Sequence, residues 1–126
     1  MKRLLPIMLL SLIVSIPAYS QTFMTEEQMI ATMVGATLSG IAIKDDRTPW
    51  TQTYHPHKKG KPKGKIDGAY GGDPYKSKWW VKKGKWCEDW GSGRGCWNLE
   101  LVDDSTIQAY KDGKPLKNVW TIEKSN

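Results

Sequence analysis

Two cysteines separated by eight residues, each beside a tryptophan, leave the stretch Lys85–Leu99 with one strand register. Placing Gly91-Ser92 at the tip of a two-residue loop puts glycine at the first central position, as a type II′ turn requires. Facing residues then pair Trp90 with Gly93, Asp89 with Arg94, Glu88 with Gly95, Cys87 with Cys96 and Trp86 with Trp97. Counted from the closing pair, the cysteines meet at a non-hydrogen-bonded position, where side chains approach most closely. A disulfide, with its short Cβ separation, fits there. Alternation assigns Trp86, Trp97, Leu99 and Leu101 to the core face, and Cys87, Cys96, Asp89 and Arg94 to the other. A turn at Lys83-Gly84 sets Trp80 opposite Cys87, so that one tryptophan covers the disulfide from outside.

A lone disulfide calls for an oxidising compartment, and the N-terminus reads as the route to one. Lys2 and Arg3 are followed by an apolar run from Leu4 to Ile16, then Pro17 and the small-residue pattern Ala18-Tyr19-Ser20. That is export chemistry, with cleavage expected before Gln21. The apolar run is short of the roughly 20 residues that span a bilayer. Residues 1–20 are therefore expected to be a signal peptide, and 21–126 a single periplasmic or secreted β domain with no transmembrane segment after cleavage.

One helix is predicted over about residues 25–34. Thr25 and Gln28 form a capping box, and Met24 and Met29 are spaced as a hydrophobic staple. Glu26 and Glu27 suit the helix dipole. Met29, Ile30, Met33 and Val34 make an apolar stripe, which Gly35 ends. Beyond it the signals are those of strands: 37–43, 50–55, 65–70, 78–82, 85–90, 96–102, 106–111 and 118–123. Turn material separates them, including Gly71-Gly72-Asp73-Pro74, Asp103-Asp104-Ser105 and Asp112-Gly113. About eight short strands at this spacing predict an antiparallel meander closing into a small barrel or half-barrel.

Charge is unevenly distributed. Residues 58–85 hold ten lysines against Asp67 and Asp73, whereas 87–126 are slightly acidic. A basic segment of this kind suits an anionic partner, although a charge run is more often simply solvated. Seven tryptophans accompany a single phenylalanine. Several must be core; Trp79 and Trp80, being adjacent, cannot both face inward. An exposed indole beside lysines is a platform for a sugar ring or a flat anion. The candidate contact surface is thus Lys58, Lys59, Lys61, Lys63 and Lys65 with Tyr75, Trp79 and Trp80.

Other constellations are thinner. His55 and His57 point the same way on an extended chain but lack a third ligand for zinc. Asp67 and Asp73 lack the spacing of a calcium loop. Glu88, Glu100 and Asp103 offer carboxylates, yet nothing in the sequence singles out a catalytic pair. No cofactor is expected, and no catalytic residue is assigned.

The pattern Gly35-x-Thr37-Leu38-x-Gly40, a Trp-containing strand, Gly84-x-Trp86-Cys87 and Cys96-Trp97 resembles a family of small exported proteobacterial proteins of unknown function. The resemblance covers residues 35–126 and departs at the lysine-rich loop 57–65. It implies a two-cysteine β-hairpin and no catalytic residue. The expected function is an exported, non-enzymatic binding or interaction module for an anionic polymer, glycan or protein of the cell envelope. Two alternatives stand beside it: an envelope sugar-active or hydrolytic enzyme, and a basic, Trp-rich secreted effector or enzyme inhibitor.

Overall fold

A computed structural model describes residues 22–123. The expected signal peptide lies outside the described residues. Helix α1 spans Glu26–Met33, and its capping box forms in both directions. Gln28 N–H donates to Thr25 Oγ1 at 3.1 Å, and Thr25 N–H to Gln28 Oε1 at 2.8 Å. Gly35 follows at φ +87°, a left-handed value that glycine adopts without strain. Its N–H donates to the Tyr54 carbonyl, which ties the helix end to the sheet. Met29 and Met33 are fully buried among Leu38, Tyr54, Ile66 and Trp86, so the helix stoppers one end of the sheet.

The strands are β1 (Thr37–Ile41), β2 (Pro49–Tyr54), β3 (Lys63–Tyr70), β4 (Asp73–Lys82), β5 (Lys85–Asp89), β6 (Arg94–Asp103), β7 (Thr106–Lys111), β8 (Lys114–Pro115) and β9 (Trp120–Glu123). Consecutive strands pair antiparallel from β1 to β7; β7 pairs with β9, and β9 returns to β1. The result is a closed eight-stranded antiparallel barrel. The two-residue β8 folds back on the end of β7.

The β5–β6 hairpin has the expected register. Trp86 faces Trp97, Cys87 faces Cys96 and Asp89 faces Arg94. Cys87 and Cys96 are joined by a disulfide with Cα atoms 4.0 Å apart. Trp80 faces Cys87 on the neighbouring strand. Two expectations are corrected. The β3–β4 turn needs only Gly71 and Gly72, at φ +58° and +91°, as a type I′ turn demands. Asp73 and Pro74 therefore open strand β4 and do not belong to the turn. Leu101, assigned to the core, is 44% exposed. The β6–β7 register shifts between Leu101 and Asp103, and such an irregularity bends a strand end away from its regular course.

Aromatic rings fill the interior because glycines make room for them. Gly40 faces Trp50, Gly64 faces Trp79 and Gly68 faces Tyr75 across adjacent strands. A Cβ on Gly40 would stand 2.5 Å from the Trp50 ring, and one on Gly68 would stand 2.3 Å from the Tyr75 ring. Gly95 lies under Trp97 in the same way. Toward the helix the core is solid: Trp79 stacks on Trp86 at 4.9 Å, and Tyr54 meets Trp86 edge-on at 5.1 Å.

Candidate functional site at the open end of the barrel

In an up-and-down barrel, successive connections alternate between the two ends. The 55–62 and 83–84 connections therefore share the helix end. Those at 42–48, 71–72, 90–93 and 112–119 share the other, which no helix covers among the described residues. There the strands enclose a cavity of about 610 Å³.

Its wall is an arc of indoles. Trp50 meets Trp120 edge-on at 6.0 Å, Trp120 meets Trp97 edge-on at 5.4 Å, and Trp97 meets Trp90 at 5.8 Å. Inward alternation delivers Trp50, Trp97 and Trp120 from β2, β6 and β9, and Trp90, one residue past the end of β5, joins them in the same space. Tyr70, Ile41 and Ile43 stand at the rim, each substantially exposed.

Beneath the arc lies Glu88, a carboxyl only 2% exposed. Its Oε1 accepts from Gln52 Nε2 at 2.8 Å and from Trp90 Nε1 at 3.0 Å. Its Oε2 accepts from Trp86 Nε1 at 2.9 Å and from the Tyr54 hydroxyl at 3.0 Å. Tyr75 donates to Gln52 Oε1, and Trp90 N–H also reaches that oxygen. An indole N–H only donates, so the Trp90 contact fixes which way the Gln52 amide points. Four donors occupy the four acceptor positions of the carboxylate. Burial pushes the Glu88 carboxyl above its ordinary value, while Gln52, Trp86, Tyr54 and Trp90 oppose that rise without cancelling it. Burial, together with the nearby Glu88 charge, also raises the Tyr54 and Tyr75 phenols.

The residues singled out in the sequence divide between the barrel's outside and inside. Lys58, Lys59 and Lys61 lie on the β2–β3 connection at the helix end, and all three are exposed. Lys63 faces Trp80 and Lys65 faces Lys78 on the outer surface. His55, His57, Lys58, Lys59, Lys65 and Lys76 line one groove there. Trp79 is 1% exposed and its N–H donates to the His55 carbonyl at 2.9 Å, so its ring offers no external platform. Tyr75 points into the barrel, toward Gln52. His55 pairs with Asp67 at 2.8 Å. Lys76 bonds the same carboxylate, and Lys76 and His55 together hold it below its ordinary range. His57 Nδ1 accepts from Lys59 N–H. Among the described residues no group of three or more His, Cys, Asp or Glu is placed to hold a metal ion.

Sequence reasoning did not select Trp50, Gln52, Glu88, Trp90, Trp97 or Trp120 as a site. A signal was present for Glu88: it shares strand parity with Trp86, which puts an acid on the core face of the best-determined hairpin. In comparisons with known proteins, no family model, no curated protein and no solved structure matches this chain, so its function is read from the cavity alone.

Proposed function

We propose that the chain is an exported, non-enzymatic binding barrel that takes a small, flat, largely apolar ligand into its open end. The observation that carries this reading is the cavity of about 610 Å³ walled by four tryptophans, with Gln52, Tyr75 and Glu88 at its floor. Pockets of roughly 300–1,000 Å³ lined by aromatic side chains and a few fixed polar groups are the common form of small-molecule sites. Glu88 has all its acceptor positions filled, which suits a structural anchor better than a catalytic base. The test is titration with a neutral naphthyl methyl ester, followed by tryptophan fluorescence. Trp97→Ala should weaken binding at least about tenfold, since stacking and area are both lost, while the outward Trp80→Ala leaves it unchanged. Equal binding by the wild type and Trp97→Ala would end this reading.

A second reading rests on the lysine-lined groove outside β3 and β4. It supports contact with an anionic polymer or glycan of the envelope, at a surface separate from the cavity. Such binding would weaken steeply with salt, because it rests on counterion release.

A further inference from the structure

The cavity wall has unspent donors, whereas the one carboxylate at its floor has no acceptor position left. Trp50, Trp97 and Trp120 all line it, and their indole N–H groups have no hydrogen-bond partner among the described residues. None is a sealed, unsatisfied donor. Each N–H therefore keeps access to solvent, on a ring that lines the cavity. An indole N–H can only donate. Against these three donors stands one carboxylate, Glu88, whose oxygens are already occupied by Gln52, Tyr54, Trp86 and Trp90.

The rim adds a cation. Lys44 lines the cavity and has no ion-pair partner among the described residues. Its acidic neighbours are engaged elsewhere. Asp45 accepts from the backbone N–H groups of Arg47 and Thr48 and from the Thr48 hydroxyl. Asp46 pairs with Lys117 at 2.6 Å and accepts from Asn118.

We infer that the ligand of this cavity is an aromatic carboxylate, its ring held among the four indoles and its anionic end taken by free indole N–H groups and Lys44. A caged cation is the competing chemistry, since indole faces attract ammonium groups. Lys44 at the rim repels such a cation, and Glu88 at the floor, although a counter-charge, has no acceptor position left to bond it. The Glu88 charge also opposes a carboxylate placed on the floor, which puts the anionic end toward the rim.

This inference rests on the cavity being the binding site, and three naphthyl probes that differ in the charge of their polar end separate the two claims. They are 2-naphthylacetate, its neutral methyl ester, and a 2-naphthylmethyl trimethylammonium salt, titrated into the mature protein. The carboxylate should bind at least about tenfold more tightly than the ammonium, the worth of one charge-assisted contact. Lys44→Met should shrink the carboxylate's advantage over the ester. In a ¹H–¹⁵N spectrum, the indole resonances of Trp50, Trp97 and Trp120 should move downfield with the carboxylate, while Trp86, already bonded to Glu88, stays in place. Equal affinities, or a preference for the ammonium, would overturn the inference and leave the cavity a binding site. Failure of all three probes to bind would overturn both claims.

Discussion

The two ends of the barrel are built from the same eight strands and end up in opposite states. At the helix end, α1 drops Met29 and Met33 onto Trp86 and Trp79, and the interior is filled. At the other end the side chains are at least as large, yet Trp50, Trp90, Trp97 and Trp120 stand around an opening. Ring size does not decide the outcome. What decides it is whether an element from outside the barrel comes in to close the end, and among the described residues only one end has such an element.

The strongest way to break this contrast is to remove one ring from each end. Trp86→Ala should cost about 3–5 kcal/mol, as expected for a large-to-small change in a packed core. Thermal unfolding should then shift down by more than about 12 °C at roughly 4–8 °C per kcal/mol. Trp97→Ala, at a ring that borders open space, should cost about half as much while weakening ligand binding at least about tenfold. Equal losses at the two positions would mean that the open end is packed as tightly as the closed one.

Next in size is the disulfide, which ties the two strands that carry Trp86, Glu88 and Trp97. Replacing Cys87 and Cys96 together with serine should destabilise by roughly 2–3 kcal/mol, the chain-entropy value for so short a loop. Denaturant titration of the oxidised wild type and the double variant checks this; a difference below about 0.5 kcal/mol would contradict the chain-entropy account.

A smaller effect is expected from pH, with a sign set by Glu88. Burial holds its carboxyl above the ordinary 4.5, so the folded state retains the proton more strongly than the unfolded chain. Stability from this group is fully present below about 4.5 and is lost as pH rises through the raised value. The groups facing it are Gln52, Tyr54, Tyr75, Trp86 and Trp90, none of them charged near neutrality. Asp46, Asp67 and Asp103 are held below 3.8, and Asp45 is pulled down to about 2. Those four act in the opposite sense and only under more acid conditions. The melting temperature should therefore fall between about pH 4.5 and neutrality, and Glu88→Gln should flatten that slope. An unchanged slope in the variant would assign the effect to other groups.

The smallest effect is expected outside the barrel. Reversing Lys58, Lys59, Lys61 and Lys63 to glutamate should change stability by no more than about 0.5 kcal/mol, as for exposed positions generally. Affinity of the cavity for a naphthyl carboxylate should be unaffected. Binding of a polyanion such as heparin should vanish if the groove reading holds, and survival of that binding would discard it.

The hairpin, the capped helix and the strand order were readable because each depends on contacts close in sequence. Alternation alone placed Trp86 and Trp97 inward and Cys87 and Cys96 outward. The cavity was not readable, because its lining draws on β2, β5, β6 and β9 and the β5–β6 connection, and their proximity follows only from closure. Gly40, Gly64 and Gly68 look like strand-weakening residues until the register sets each one under an aromatic ring. Trp79 and Tyr75 stand in the candidate contact surface, yet the register that sets Trp80 beside the outward Cys87 already turns Trp79 inward, and Tyr75 shares its parity along β4. Leu101 failed in the other direction, since a shift of register at the end of β6 is invisible to a two-residue period.

One seam in the barrel has a consequence for the order of assembly. Most pairings join neighbouring strands, but β1 meets β9 across nearly the whole described chain. Ser39 and Glu123, 84 residues apart, are hydrogen-bonded at 2.5 Å. Loop closure over such a separation is entropically costly and slow compared with hairpin formation. Trp120, the ring linking Trp50 to Trp97 in the wall, rides on that closing strand. A chain that has made every hairpin but not yet zipped this seam has no complete mouth. Ligand capture at this mouth therefore requires the closed ring, and it reports that the ring of strands has shut.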